Sequence, residues 1–382
     1  PIVRLVNLIL QEALKERATD VHIEPQPENV IVRIRTDGVL RQIMTPPLSS
    51  LSGLTTRIKI LASLNIAERR LPQDGRFTIK AKDREIDVRT SIMPTIHGEK
   101  VVMRLLDKGD FQMDLTTLGF PQEDQQTFKR WIQQPYGMVV ISGPTGSGKS
   151  TTLYAALKHI KSEGTNITTA EDPVEYQLNG ISQIQVKEDI GLTFGSVLRS
   201  VLRQDPDVLL IGEIRDQETA DIAVKFSLTG HLVFSTVHAN DASSTVTRLI
   251  DIGVPPFLAG SCLNLVMAQR LVRTICPNCK EEYTPSREEL SRLSISEEQA
   301  AGATFFKGQG CVNCHQTGYY GRTGIFEILE VRQPIRKLIF EEANEEEIKD
   351  RASRDGMVSL RNAGIKKVLR GITTIDEVLR ST

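Results

Sequence analysis

An α/β chain of at least two domains, the larger built on a mostly parallel sheet, is what this sequence predicts, and three observations predict it. Its 382 residues exceed the roughly 100 to 200 of an average domain. From Gly119 to about Arg270, short apolar strands alternate with helical segments, the pattern of a parallel sheet flanked by helices. A glycine-rich turn, Gly143 to Thr151, joins an apolar strand to a helix, and such turns in such sheets bind phosphates.

Along the chain, Ile2, Leu5, Val6, Ile9, Leu10, Ala13 and Leu14 recur at helical spacing and predict an amphipathic helix over 2–17. Strands follow at 20–24, 30–35 and 39–43, the last two joined by Asp37-Gly38, a hairpin-turn dipeptide. A helix near 50–64 and strands near 76–80, 85–92 and 100–106 complete a first domain, 1–107. Residues 108–118 have no period and read as a linker. The second domain, 119–270, is expected to place strands at 138–142, 167–171, 208–212 and 232–236, with a helix at 150–161. From 271 to 322 the texture turns to cysteines, glycines and turns, and 323–382 reads as a C-terminal helical region, its acidic run Glu341 to Glu347 a solvated helix face.

Composition excludes several classes. Apolar residues make up 40% and charged residues 25%, an ordinary globular balance that argues against disorder. The longest apolar runs fall far short of the roughly 20 residues of a membrane-spanning helix. A formal net charge of −1 lacks the basic surplus of a non-specific nucleic-acid binder. The cysteines, two Cys-x-x-Cys pairs and Cys262 without a signal-peptide pattern, point to a reducing cytoplasm. The chain opens on Pro1 inside an apolar pattern, which suggests that a further segment precedes it in the whole protein.

The turn Gly143-Pro144-Thr145-Gly146-Ser147-Gly148-Lys149-Ser150-Thr151 has the strand before it and the helix after it that make a P-loop prediction specific. Its amides and the helix N-terminus supply partial positive charge, Lys149 reaches the β- and γ-phosphates of ATP, and Ser150 ligates magnesium. The next strand ends in Glu171-Asp172-Pro-Val-Glu175, and another in Gly212-Glu213-Ile-Arg215-Asp216. Strand carboxyl ends face the ligand crevice, so Glu171 and Glu213 are expected at the γ-phosphate, one on the attacking water and one on hydrated magnesium. Gly212 stands where an aspartate is usual. His238, just past the strand at 232–236, is expected to sense the γ-phosphate, whereas His231 is expected to brace the fold.

Cys276-x-x-Cys279 and Cys311-x-x-Cys314 supply four thiolates for a closed, structural zinc site, with a small helical excursion between them. His315 is not needed as a ligand, and Cys262 reads as core packing.

Together, the P-loop, the Glu171–Glu175 acidic box, Arg203-Gln-Asp-Pro-Asp207 leading to Gly212-Glu213-Ile-Arg215-Asp216, and Thr229-Gly-His231 to His238 resemble the Walker A, aspartate, Walker B and histidine boxes of the type II/IV secretion ATPase superfamily. In the first domain, Arg70-Leu-Pro-Gln-Asp-Gly-Arg76 and Asp87-Val-Arg89 to Arg104 resemble that family's second N-terminal domain. The resemblance implies a PAS-like α/β N-terminal domain joined to a RecA-like P-loop NTPase domain with a tetracysteine zinc module and a helical C-terminus, assembled as a homo-hexamer. It further implies that Arg76, Arg89 and Arg104 present guanidinium groups to nucleotide phosphates, with a surface ion pair as the alternative, most evenly balanced at Arg104.

The tetracysteine module resembles assembly rather than retraction motors, and Gln269-Arg-Leu-Val-Arg-Thr-Ile-Cys276 with Gly321-Arg-Thr-Gly-Ile-Phe-Glu327 resembles GspE-like type II secretion ATPases more than PilB-like pilus extension ATPases. The implied setting is the cytoplasmic face of the inner membrane, with a platform protein and a membrane-anchored recruiting protein as partners. A nucleic-acid translocase lacks support in the charge and aromatic pattern, and a non-hydrolysing scaffold has no use for both glutamates.

Overall fold

The computed structural model describes residues 1–81, 84–107 and 114–382. The chain folds as two compact units, Pro1–Phe111 and Gln112–Thr382.

In the first unit, α1 (Ile2–Lys15) and α2 (Leu51–Leu61) accompany strands β1 (Asp20–Pro25), β2 (Val30–Thr36), β3 (Val39–Met44), β4 (Gln73–Ala81), β5 (Arg84–Thr95) and β6 (Gly98–Asp107). The strands form one antiparallel sheet of order β3-β2-β1-β6-β5-β4. Its core follows directly from sequence period: Val6, Ile9, Leu10 and Ala13 line one stripe of α1 and meet alternating residues such as Val21, Ile23, Val88 and Val101 from one face of the sheet. Asp37 and Gly38 both have positive φ, 50° and 83°, the geometry of the tight hairpin turn their identity predicts. Of the expected linker, 108–113 lies outside the described residues. Leu115 and Leu118, at its other end, pack into the core of the second unit.

The second unit contains α3 (Gln122–Ile132), β7 (Gly137–Ser142), α4 (Lys149–Ile160), β8 (Ile167–Glu171), β9 (Ser182–Gln185), α5 (Phe194–Val201), β10 (Val208–Ile211), α6 (Gln217–Leu228), β11 (Leu232–Val237), α7 (Ala242–Asp251), α8 (Pro256–Cys262) and β12 (Leu263–Ile275). There follow β13 (Lys280–Tyr283), α9 (Arg287–Arg292), α10 (Glu297–Ala301), β14 (Phe305–Gly308), β15 (Tyr319–Glu330), α11 (Gln333–Phe340), α12 (Glu345–Arg354), α13 (Leu360–Leu369) and α14 (Ile375–Ser381). The sheet order is β15-β12-β7-β11-β10-β8-β9, parallel from β12 to β9 with β15 antiparallel at the edge. Helices cover both faces, so β7, β8, β10 and β11 are buried along their whole length and read as apolar runs rather than alternations.

Two strands cross the boundaries that sequence texture suggested. β12 spans 13 residues across the 270/271 division, and β15 spans 12 residues across 322/323. They pair with each other from Leu265↔Glu330 to Ile275↔Tyr319, so the cysteine module is carried on the ends of the longest ladder of the sheet. The stretch after Cys262 is this strand. Its first seven residues, Leu263 to Gln269, are buried without alternation and have no period by which to tell them from a buried helix. Between the cysteine pairs the expected helical excursion is α9 and α10, closed by the two-stranded β13–β14 hairpin.

Candidate nucleotide site, arginine row and cysteine centre

The P-loop follows β7 and ends in α4, whose N-cap is Gly148 with φ 88°. Gly143 and Gly148 are required for packing as well as conformation. A Cβ on Gly143 (φ 148°) would lie 2.5 Å from the Gln269 carbonyl oxygen, and one on Gly148 would lie 2.8 Å from Gln269 Nε2. Pro144, Thr145, Gly146 and Ser150 are exposed at the crown, while Ser147 is buried, so the loop is clamped below and open above. The Lys149 ammonium donates to the carbonyls of Gly143 (2.6 Å) and Pro144 (3.2 Å). Burial lowers its pKa, and the nearby Glu213 opposes that shift.

Glu213, two residues past the end of β10, is the carboxylate that Lys149 feels. Arg215 Nε donates to its Oε2 at 2.7 Å, and His238 Nε2 lies 3.0 Å from its Oε1. The backbone fixes this group from both sides, because Thr236 Oγ1 donates to the Gly212 carbonyl (2.6 Å) and the Ile214 amide to the Thr236 carbonyl (3.0 Å). Gly212 is glycine for a local reason: a Cβ there would press on the β8 backbone, 3.3 Å from Glu171 Cα and 3.4 Å from the Ala170 oxygen. His231 stacks on Phe226, ring centroids 4.3 Å apart, with its Nδ1 3.1 Å from the Phe226 carbonyl.

Glu171, expected beside Glu213 at the phosphates, lies in different surroundings. Only 4% exposed, its carboxylate accepts from the Tyr154 hydroxyl, from Thr169 Oγ1 at 2.5 Å and from Gln183 Nε2 at 3.2 Å. Burial raises its pKa against those three donors. Its oxygens tie β8 to α4 and β9. Asp172 is exposed and Glu175 is half-buried in the same acidic box.

Two site residues were not picked out from sequence, Gln269 and Arg270 on β12. Gln269, 2% exposed, accepts from Thr152 Oγ1 (2.8 Å) and donates to the Ser147 carbonyl (2.9 Å). It thereby locks the underside of the P-loop to the neighbouring strand. Arg270 Nη2 donates to the Asn240 carbonyl (2.7 Å) and Nη1 to the Gln269 carbonyl (3.1 Å). The available signal was a polar pair interrupting the apolar run Leu263 to Val272, since a buried polar residue demands a partner.

In the first unit, the antiparallel register aligns Arg35, Asp20, Arg104, Arg89 and Arg76 in one cross-strand row through β2, β1, β6, β5 and β4. Arg76, Arg89 and Arg104 thus stand on three adjacent strands, where like charges directly opposite one another are unfavourable unless compensated, and Arg89 and Arg104 each have a partner. Arg104 pairs with Asp20, Nε to Oδ1 3.2 Å, and its side chain is 52% exposed. This is the ion pair that stood as its alternative reading. The guanidinium end of the pair is exposed and the Asp20 end is buried.

The four cysteines of the second unit lie with all Sγ atoms within 4.8 Å of one another. The Cys276–Cys311 and Cys279–Cys314 separations are both 3.8 Å, and Cys311–Cys314 is 3.7 Å. Four sulfurs about 2.3 Å from a central zinc stand roughly 3.8 Å apart in a tetrahedron, so the donor set fits that ion. The amides of Cys311 (3.2 Å) and Gly318 (3.3 Å) donate to Cys314 Sγ. Burial opposes its thiolate, but these amides outweigh it and draw the thiol down to about 6. Cys262, by contrast, is buried in the main core, its thiol pushed up to about 12 by desolvation.

The profile of the family described as type II/IV secretion system protein matches residues 1–380. The chain belongs to this family. Among its members, the type IV pilus assembly ATPase PilB of Myxococcus xanthus is 50% identical over 384 residues, covering 100% of this chain and 68% of that protein. The type II secretion system protein E of Pseudomonas aeruginosa and the type II secretion system ATPase E of Vibrio cholerae are each 48% identical over 382 residues, covering all of this chain and 76% and 75% of theirs. The family fold recurs in solved structures. The Legionella pneumophila ATPase DotB superposes with a TM-score of 0.70 at 19% identity, covering 98% of this chain and 94% of that one. The pilus retraction motor PilT with bound ADP gives 0.64 at 23% identity, covering 97% and 95%. Among the described residues, no helix is long and apolar enough to cross a membrane.

Proposed function

We propose that this chain is the Mg-ATP-hydrolysing motor of a type II secretion system, a cytoplasmic homo-hexamer recruited to the inner membrane by a membrane-anchored partner and working on a platform protein to extrude a pilus-like fibre. The observation that carries the reading is the convergence of Lys149, Glu213 and His238 at a P-loop, in a chain 48% identical over its full length to type II secretion E proteins. Pilus assembly is the second reading, favoured by the 50% identity to PilB.

In this reading the P-loop amides and Lys149 hold the phosphates and Ser150 holds magnesium. Glu213, bridged by Arg215 and His238, is the carboxylate poised over the γ-phosphate, and His238 reports its presence through their shared contact. Glu171 is assigned to scaffolding, because its oxygens are already engaged. The water-activating role within the acidic box then falls to its accessible carboxylates, Asp172 or Glu175. Arg76, Arg89 and Arg104 form the row that neutralises phosphate charge, an effect worth a thousandfold or more where a guanidinium reaches the transferring group. The 1–107 domain and the motor domain then act as two bodies whose closure couples hydrolysis to work. The four thiolates bind zinc, which stabilises the fold around them.

The test is Mg-ATP hydrolysis per subunit over a wide range of protein concentration. A specific rate that climbs with concentration and collapses in both Glu213→Gln and Arg89→Ala supports a site completed by assembly. A flat rate indifferent to Arg89→Ala removes the arginine row and the ring from the mechanism. Capture of secretion rather than pilus components by the full-length protein separates the two machines.

A further inference from the structure

We infer that Arg270 is a second fixed cation of the phosphate site, one that reads how many phosphates the nucleotide carries. The inference rests on the P-loop reading above and adds a residue to it.

The position comes from packing. Gly143, the first residue of the loop, is flanked by two cations: the Lys149 ammonium bonds its carbonyl at 2.6 Å, and a Cβ built on it would lie 3.2 Å from Arg270 Nη1. The guanidinium is half-buried, held at 3.1 Å by the Gln269 carbonyl and at 2.7 Å by the Asn240 carbonyl. Carbonyl ligands orient an arginine without neutralising it, and two bonds leave it further N–H donors.

The charge balance gives that orientation a purpose. Arg270 disfavours the charged form of Lys149 and Glu213 favours it, while Glu327 and Asp241 are the carboxylates that Arg270 feels. Neither of those carboxylates is idle. Glu327 accepts the amides of Ala242 (2.8 Å) and Leu360 (3.1 Å), and Asp241 caps α7 and pairs with Lys349 at 2.8 Å. Two half-buried cations thus flank one glycine of an anion-binding loop; Glu213 and Asp241 are paired with other cations, and Glu327, held by backbone amides, is the carboxylate left to face Arg270. Phosphate oxygens seated on the loop amides would relieve that repulsion, and each added phosphate would relieve it further. Because Arg270 also holds the Asn240 carbonyl, just beyond His238, the same guanidinium links the loop that precedes α7 to the occupancy of the P-loop.

The experiment compares affinities of the full chain for ADP and for a non-hydrolysable ATP analogue, by displacement of a fluorescent nucleotide in the presence of magnesium. Variants are Arg270→Gln, Arg270→Lys and Lys149→Ala. Loss of a charge-assisted contact corresponds to roughly 10- to 100-fold in affinity. The expected result is that Arg270→Gln weakens the triphosphate by about that factor and ADP by several-fold less, while Arg270→Lys retains most of the preference. An equal loss for both nucleotides in Arg270→Gln would make the residue a loop brace and overturn the inference. So would unchanged affinities in that variant when Lys149→Ala abolishes binding. Unchanged binding in Lys149→Ala strikes the P-loop reading itself. If the melting temperature shows Arg270→Gln to be misfolded, the absolute affinities in Arg270→Lys decide: both kept within a few-fold of wild type support a charge role, and a loss of about tenfold or more shared equally by the two nucleotides refutes it.

Discussion

Replacing Gln269 by methionine is the sharpest perturbation of the phosphate loop that leaves every nucleotide-facing group in place. The side chain is 2% exposed and serves two partners, accepting from Thr152 Oγ1 and donating to the Ser147 carbonyl. Thr152 is fully buried and Ser147 is 4% exposed, so neither recovers a water partner without movement. Methionine keeps the volume and removes both bonds, stranding one donor and one acceptor at about 1–3 kcal/mol each. The expected penalty is about 2 to 6 kcal/mol. It can surface in two ways, and the assay must read both: as a lower denaturant midpoint of the second unit, or as a distorted loop with weaker ADP binding, where about 2 kcal/mol is roughly thirtyfold. Equilibrium unfolding with and without ADP, together with direct ADP titration, covers the two cases. A Gln269→Met protein with wild-type midpoint and wild-type affinity would refute the idea that β12 positions the loop.

Further outcomes follow from other buried groups. Glu377 on α14 accepts from the amide and guanidinium of Arg273 and from Arg380; burial opposes its charge, but these donors prevail and hold it at about 2 against an ordinary 4.5. Its folded pKa is depressed, so it stabilises by about 3 kcal/mol above pH 4.5 and loses that contribution as pH falls toward 2; the gap in unfolding midpoint between wild type and Glu377→Gln should shrink between pH 7 and pH 3, and a constant gap would contradict the assignment. Stripping metal from the four cysteines should release close to one zinc per chain and lower the melting temperature, with new proteolytic cuts near 280–318; protein purified without zinc and insensitive to chelator would rule the ion out. Glu171→Gln should cost about 1–3 kcal/mol of stability by misplacing one of three donors yet reduce hydrolysis far less than Glu213→Gln, and equal loss in both variants would return Glu171 to the chemistry.

What the sequence disclosed depended on how local its cause was. The P-loop glycines, the Asp37-Gly38 turn and the stripe of α1 are dictated by a few adjacent residues, and all lie where their chemistry requires. The two cysteine pairs were legible as well, because metal-ligand spacing survives whatever intervenes. β12 and β15 were not legible, since their pairing, from Leu265↔Glu330 to Ile275↔Tyr319, joins residues far apart in sequence and the buried first half of β12 carries no period. The enclosure of Glu171 was not legible for a related reason. Its strand-end position predicted the crevice, but its partners Tyr154 and Gln183 come from α4 and β9, and only the assembled sheet shows that the carboxylate is enclosed. The arginine row fell between these cases: each arginine was identifiable, but the register that sets them opposite one another is a property of three strands.

β12 gives these separate observations a common cause. Running parallel to β7, it presents Gln269 and Arg270 to the P-loop, and two turns of the pleat later Arg273 bonds Glu377 at 2.7 Å and lies 4.0 Å over the Tyr319 ring. At its end the Ile275 amide donates to the Ile372 carbonyl and the Cys276 amide to the Gly318 carbonyl. A 13-residue strand thus connects the phosphate loop, the C-terminal helices and the sulfur cluster through one run of residues, with a register irregularity between Arg273 and Ile275. Packed interiors do not deform continuously, so a displacement imposed at the loop has to be taken up by the register of β12 against β15 or by the helices that Glu377 anchors. If the four cysteines hold zinc as proposed, the ion would pin the far terminus of that strand, leaving the P-loop end as the one to respond to nucleotide.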